Sequence, residues 1–176
     1  MITALIAHPY PKFSLVSVPL LQGLRQRFPE MDVRELYEMY PDGSIDLFEE
    51  RRALSASSLI LFSHPVFWFS VPALLKQWFD DVLGYGFAYG RGGRALRGKG
   101  VLWLPVIGAG LTDDIPYGPE DIRVIEAPLR RMWEACGAKW LPPQVFDGRS
   151  PYSEEESGAL LDEIAQAMIA WESTHE

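Results

Sequence analysis

The chain has 176 residues, 48% hydrophobic and 23% charged, which suits a single domain with a sizeable core and is unlike a disordered segment. With 16 basic against 24 acidic side chains the formal charge is −8, which repels nucleic acid and excludes a generally basic surface. Cys136 is the only cysteine, so there is no internal disulfide framework or cysteine-based metal cluster, and His8, His64 and His175 lack the close spacing of a zinc site.

In chain order, the first element is Ile2–Ala7, an almost continuous apolar run that reads as a strand buried on both faces. It stops at His8 and Pro9, too short for a signal-peptide core or a membrane span, so the expected location is the cytoplasm. The loop from His8 to Ser14 leads into Leu15, Val16 and Ser17, where a serine is expected to cap a helix carrying Leu20, Leu21, Leu24 and Phe28 at helical spacing. A helix amino terminus with free N–H groups, two serine hydroxyls and His8 nearby suits a phosphate; an ordinary capped helix without a ligand is the alternative.

Met31–Tyr37 is a weaker strand, and Ser58–Ser63 a second buried one. The latter leads into the loop His64-Pro65-Val66-Phe67-Trp68-Phe69-Ser70, whose consecutive aromatics call for a flat apolar ligand such as an isoalloxazine ring, with backbone N–H groups along its edge. Packing beneath the next helix is the alternative. That helix carries Leu74, Leu75, Trp78, Phe79 and Val82.

The stretch from Gly84 to Lys99 contains Arg91, Arg94, Arg97 and Lys99 and no acid, a basic patch suited to nicotinamide phosphates or to an acidic partner. It falls short of a P-loop because Gly100 stands where the metal-binding Ser or Thr belongs and a strand follows. It falls short of a dinucleotide fingerprint because no strand precedes it.

The third buried strand, Val101–Ile107, ends in Gly108-Ala109-Gly110, small enough for close backbone approach to a ligand. Thr112, Asp113, Asp114 and Tyr117 follow, and Tyr117 is the candidate to bond a substrate or steady charge during hydride transfer. A helix through Ile122, Ile125, Leu129, Met132 and Trp133 is expected to kink or start at Pro128. A strand fragment at Lys139–Leu141 and a helix over Leu160, Leu161, Ile164, Met168 and Trp171 complete the chain. The alternation predicts one α/β domain over 1–176, a five-stranded parallel sheet with helices on both faces, and a ligand beyond the carboxyl ends of the strands.

Four stretches together, His8-Pro-Tyr-Pro11, His64 to Asp80, Gly86 to Lys99, and Gly137 to Pro143, resemble the flavodoxin-like NAD(P)H:quinone oxidoreductases, and among them the ancillary flavoproteins of glutathione-gated potassium efflux systems. The resemblance implies a three-layer flavodoxin-like fold and a homodimer with flavin sites at its interface. It further implies FMN, with FAD as the alternative, and two-electron reduction of a quinone-type acceptor by NADH or NADPH. By position, His8, Ser14 and Ser17, with Leu15 and Val16 between them, would hold the phosphate region; Pro65 to Phe69 the ring edge; and Val106, Ile107, Gly108 and Ala109 the opposite side.

The family usually has Asn where Ser17 stands and Thr-Thr-Gly-Gly where Val106 to Ala109 stand. Flavin affinity is therefore expected to be weaker by about 1–3 kcal/mol unless other bonds replace those lost. Asp114 and Pro119 fall near the places of the family's tyrosine and histidine, leaving Tyr117 as a displaced substitute. Two other functions fit the resemblance. One is a regulatory subunit of a potassium/proton antiporter, held at the inner face of the cell membrane, that uses the flavin structurally; the other is a one-electron carrier.

Overall fold

A computed structural model describes residues 1–108 and 119–174, without the side chain of Pro119. In chain order its elements are β1 (Ile2–Ile6), a 3-10 turn (Pro11–Phe13), α1 (Ser17–Arg27), β2 (Asp32–Glu35), α2 (Leu36–Met39), α3 (Leu47–Ala56), β3 (Leu59–Pro65), α4 (Ala73–Val82), β4 (Gly100–Gly108), α5 (Pro119–Ala135), β5 (Lys139–Trp140), β6 (Phe146–Gly148) and α6 (Glu154–Ser173).

All strand pairs are parallel, in the order β2-β1-β3-β4-β5, with β6 also on β4. The order reverses between β1 and β3, so the crevice beyond their carboxyl ends is the switch point of the sheet. β5 and β6 occupy one edge position, the first against Gly100 and Val101, the second against Val106 to Gly108. Pro142 and Pro143 lie between them and have no N–H for the ladder, which interrupts the strand. The expected five strands are thus five positions, the last one split.

Every residue of β1 and β3 is buried, because helices cover both faces of the sheet. Side chains alternate along the strands. Leu5, Phe62 and Trp103 face a core shared with α3, α4 and α5, whereas Ala4, Ile6, Leu61 and Leu104 face α1 and α6. Each large side chain so buried contributes roughly 1.5–3 kcal/mol. In α4 the stripe Leu74, Leu75, Trp78, Phe79 and Val82 is buried as its spacing predicts.

Several expectations are corrected. The second strand narrows to Asp32–Glu35 because Leu36 begins a short helix. β3 runs through His64 and Pro65, assigned above to a loop; Pro65 is its last residue, where the lack of an N–H does little harm. Pro128 lies inside α5, which starts at Pro119. The helix α3 was not foreseen. Asp46 caps it by accepting N–H bonds from Phe48 and Glu49, and Lys99 closes its other end by donating to the carbonyls of Ser55 and Ser57.

α3 also brings Glu50 into the core, where it is fully buried. Its carboxylate accepts from Arg34 Nε at 2.8 Å, Tyr40 Oη at 2.5 Å and Trp78 Nε1 at 2.8 Å, while Arg34 also meets Asp32 at 3.3 Å. Burial, with Glu50 beside it, pushes the Tyr40 phenol up to about 12. All of these charges are paired, the condition under which a buried charge is tolerated.

Candidate functional site

The carboxyl ends of β1, β3 and β4 are adjacent, and backbone bonds hold them together past their last residues: Ala7 N–H donates to Ser63 O at 3.0 Å and Val66 N–H to Val106 O at 2.9 Å. The first loop, the aromatic loop and Gly108 therefore meet at one sheet edge, as expected.

His8 leaves β1 half-buried, and burial lowers its pKa from the usual 6.5, keeping the ring neutral at pH 7. Its Nδ1 accepts the N–H of Tyr10 at 3.1 Å, so the ring proton sits on Nε2, available as a donor. The chain then turns through the 3-10 segment into α1. Neither serine occupies the cap position, which is Val16 with no side-chain bond; Ser14 Oγ instead accepts the N–H of Val18 at 3.1 Å. Ser17, the first residue of α1, is buried and its hydroxyl has no hydrogen-bond partner. Beneath it lies a void of about 10 Å³, bounded in part by Ser63, Leu21 and Phe146.

In the second loop Phe67 and Ser70 pair across a two-residue turn made by Trp68 and Phe69. The aromatics point outward: Phe67 is 39%, Trp68 92% and Phe69 43% exposed, so they do not pack beneath α4. The N–H groups of Val66 and Phe67 are spent within the fold, on Val106 O and Ser70 O, and cannot serve a ligand as expected. Pro65, Val66, Val106 and Val16 direct their side chains into the core, leaving only backbone for the site. Leu15 is exposed, and Ile107 and Gly108, the last residues of β4, are half-buried. Ala109 and Tyr117 lie outside the described residues.

Tyr10 and Phe13, not singled out in the sequence, stand exposed in the first loop. The signal was present in the aromatic and proline content of His8 to Phe13, but nothing in the spacing separated exposed from buried rings.

An unpartnered hydroxyl at the first turn of a helix, a neutral imidazole donor and a projecting aromatic turn fit a phosphate-bearing planar ring such as FMN. Among the described residues no helix is long and apolar enough to cross a membrane.

The family model described as flavodoxin-like fold matches residues 1–170. The chain is 38% identical over 176 residues to the glutathione-regulated potassium-efflux system ancillary protein KefF of Enterobacter sp. (strain 638), covering 99% of each. It is similar to the crystal structure of general stress protein 14 from Treponema denticola in complex with FMN, with a TM-score of 0.78, 30% identity and 99% of both chains covered. An NADPH-quinone reductase from P. pentosaceus, at 22% identity and a TM-score of 0.78 over 95% of this chain and 96% of that one, shares the fold. The chain therefore belongs to the flavodoxin-like fold family and is a homologue of the KefF ancillary proteins.

Proposed function

We propose that the protein binds FMN at the carboxyl edge of β1, β3 and β4 and carries hydride equivalents from NAD(P)H to a quinone-type acceptor. The observation that carries this reading is that the first turn of α1, with its buried and unpartnered Ser17 hydroxyl, and the projecting Phe67–Phe69 turn follow the adjacent strands β1 and β3 at the switch point. In this reading His8, Ser14, Ser17 and the first turn of α1 hold the phosphate, the Phe67–Phe69 turn lies along the ring, and the backbone of Val106 to Gly108 borders its other side. Ala109 and Tyr117 join the site on the sequence resemblance alone.

Bound FMN would supply reversible acceptance of a hydride. The chain's own part is to hold the phosphate by dipole and hydroxyl, to keep His8 neutral with its proton on Nε2, and to shield the reacting face from water with the aromatic turn. The homodimer and the cytoplasmic location belong to the same proposal. Purified protein loaded with FMN and titrated with NADPH should bleach fully and recolour rapidly on addition of a soluble quinone. Failure to bind FMN at micromolar concentration would end this reading.

A second reading is favoured by the 38% identity with KefF over 99% of both chains: an ancillary role on a potassium/proton antiporter. It requires binding to the transporter even where turnover with free quinone is poor.

A further inference from the structure

We infer that His64 is a positioning residue of the proposed flavin site: bonded to the carbonyl of Pro65 on one side and to the indole of Trp103 on the other, it fixes the direction in which the Phe67–Phe69 turn leaves the sheet relative to the end of β4. What is positioned rests on the flavin reading. How it is positioned rests on these two bonds.

β1 pairs with β3 only as far as Ile6 with Ser63, and Ala7 N–H closes that ladder on Ser63 O at 3.0 Å. Alternate carbonyls of a strand point to the same neighbour, so Pro65 O faces the β1 side as Ser63 O does, past the end of the pairing. His64 Nδ1–H supplies the donor there, at 2.9 Å. On the β4 side Val66 N–H donates to Val106 O at 2.9 Å. Both polar atoms of the Pro65–Val66 peptide are therefore tied, and that peptide links β3 to the turn that Phe67 and Ser70 close.

The other imidazole nitrogen reaches β4. Nε2 accepts Trp103 Nε1–H at 2.9 Å, and β4 runs on from Trp103 to Val106 and Gly108, whose backbone borders the other side of the flavin in the same reading. A carbonyl only accepts and an indole only donates, so the neutral imidazole with its proton on Nδ1 is the one form that makes both bonds. Burial, which pushes its pKa down to about 4, keeps that form at neutral pH. The imidazole is fully buried and stacks on Phe62 at 6.1 Å and on Trp103 at 6.0 Å, which leaves it no other orientation. An aliphatic side chain would fill the same space but would leave Pro65 O without this donor and the indole without this acceptor.

Two variants separate the two bonds. His64→Asn places an amide N–H where Nδ1 stands and keeps the bond to Pro65, whereas His64→Gln extends an amide oxygen to the place of Nε2 and keeps only the bond from Trp103. Hydrogen exchange on the FMN-free protein reads the hold on the turn directly. In His64→Gln the amides of Val66, Phe67 and Ser70 should exchange about tenfold faster than in the parent, measured relative to the mid-strand amide of Leu61, and in His64→Asn they should stay near the parent rates. Flavin binding, read by fluorescence quenching, should follow: about tenfold weaker in His64→Gln for FMN and riboflavin alike, because the phosphate is held at α1, and close to the parent in His64→Asn. Variants that behave alike, or exchange at Leu61 that quickens by the same factor as in the turn, reduce His64 to a packed core residue and overturn the proposal. So does faster exchange in the turn with no loss of flavin affinity. A parent protein that binds no FMN ends the flavin reading, while the exchange pattern still decides whether His64 holds the turn.

Discussion

Phe67 and Ser70 exchange both of their backbone hydrogen bonds, N–H to carbonyl at 3.0 Å in each direction, so Trp68 and Phe69 alone close the turn. Both have left-handed backbones, with φ of 48° and 58°, where a bulky residue costs roughly 1–2 kcal/mol. Trp68→Gly removes that strain at one position and returns about 0.5–1 kcal/mol through a freer unfolded chain. It loses almost no packing, because the indole is 92% exposed. The urea midpoint should therefore stay close to the parent value or rise slightly, while FMN affinity, read by quenching of flavin fluorescence, should fall. A loss of stability beyond roughly 2 kcal/mol would mean that the indole packs within the fold.

His64 is fully buried against Trp103, whose Nε1–H it accepts on Nε2 at 2.9 Å, while its Nδ1–H donates to Pro65 O. Burial pushes its pKa down from 6.5 to about 4. A depressed folded value means that the unfolded chain takes up the proton first. The contribution, of about 3 kcal/mol, is complete above pH 6.5 and is lost as the pH falls from there through 4. Urea midpoints measured down this range should drop, and His64→Gln, which keeps an acceptor for Trp103, should flatten the decline. An unchanged slope in that variant would move the effect to other groups.

Glu50→Gln removes the charge that balances Arg34 in the core, and breaking one partner of a buried pair costs about 3–5 kcal/mol. Adding Arg34→Met should recover much of that loss, because the second change removes a buried charge left with Asp32 as its sole counter-charge among the described residues. A denaturation cycle over the parent, both single variants and the double variant measures the coupling directly. Additive effects would show that the pair is worth no more than its separate contacts.

The three central strands were legible because burial on both faces leaves an unbroken apolar run, and Ile2–Ala7, Ser58–Ser63 and Val101–Ile107 all satisfy it. α3 was not, since Leu47 and Phe48 are exposed while Glu50 is buried, a reversal of the usual pattern that only the partners Arg34, Tyr40 and Trp78 explain. β6 was hidden by its length of three residues and by the prolines before it. At the site, residue types told which loops matter but not which atoms are free. The bond from Val66 N–H to Val106 O and the direction of the Val16 and Val106 side chains depend on the register of neighbouring strands, which no local spacing encodes.

Ser17 is where the flavin reading is most exposed to test. Its hydroxyl is buried without a partner at the first turn of α1, and a buried unpaired hydroxyl costs roughly 1–3 kcal/mol. Ser17→Ala should therefore leave the FMN-free protein equally or more stable, as read from its urea midpoint. If the hydroxyl completes a phosphate site, the same change should weaken FMN binding by about tenfold, one hydrogen bond to a charged group. The fall should be much smaller for riboflavin, which lacks the phosphate. If FMN and riboflavin binding are both unchanged, the hydroxyl serves the one-water void that it shares with Ser63 beneath the helix, and the phosphate must be held by the first-turn N–H groups and His8 alone.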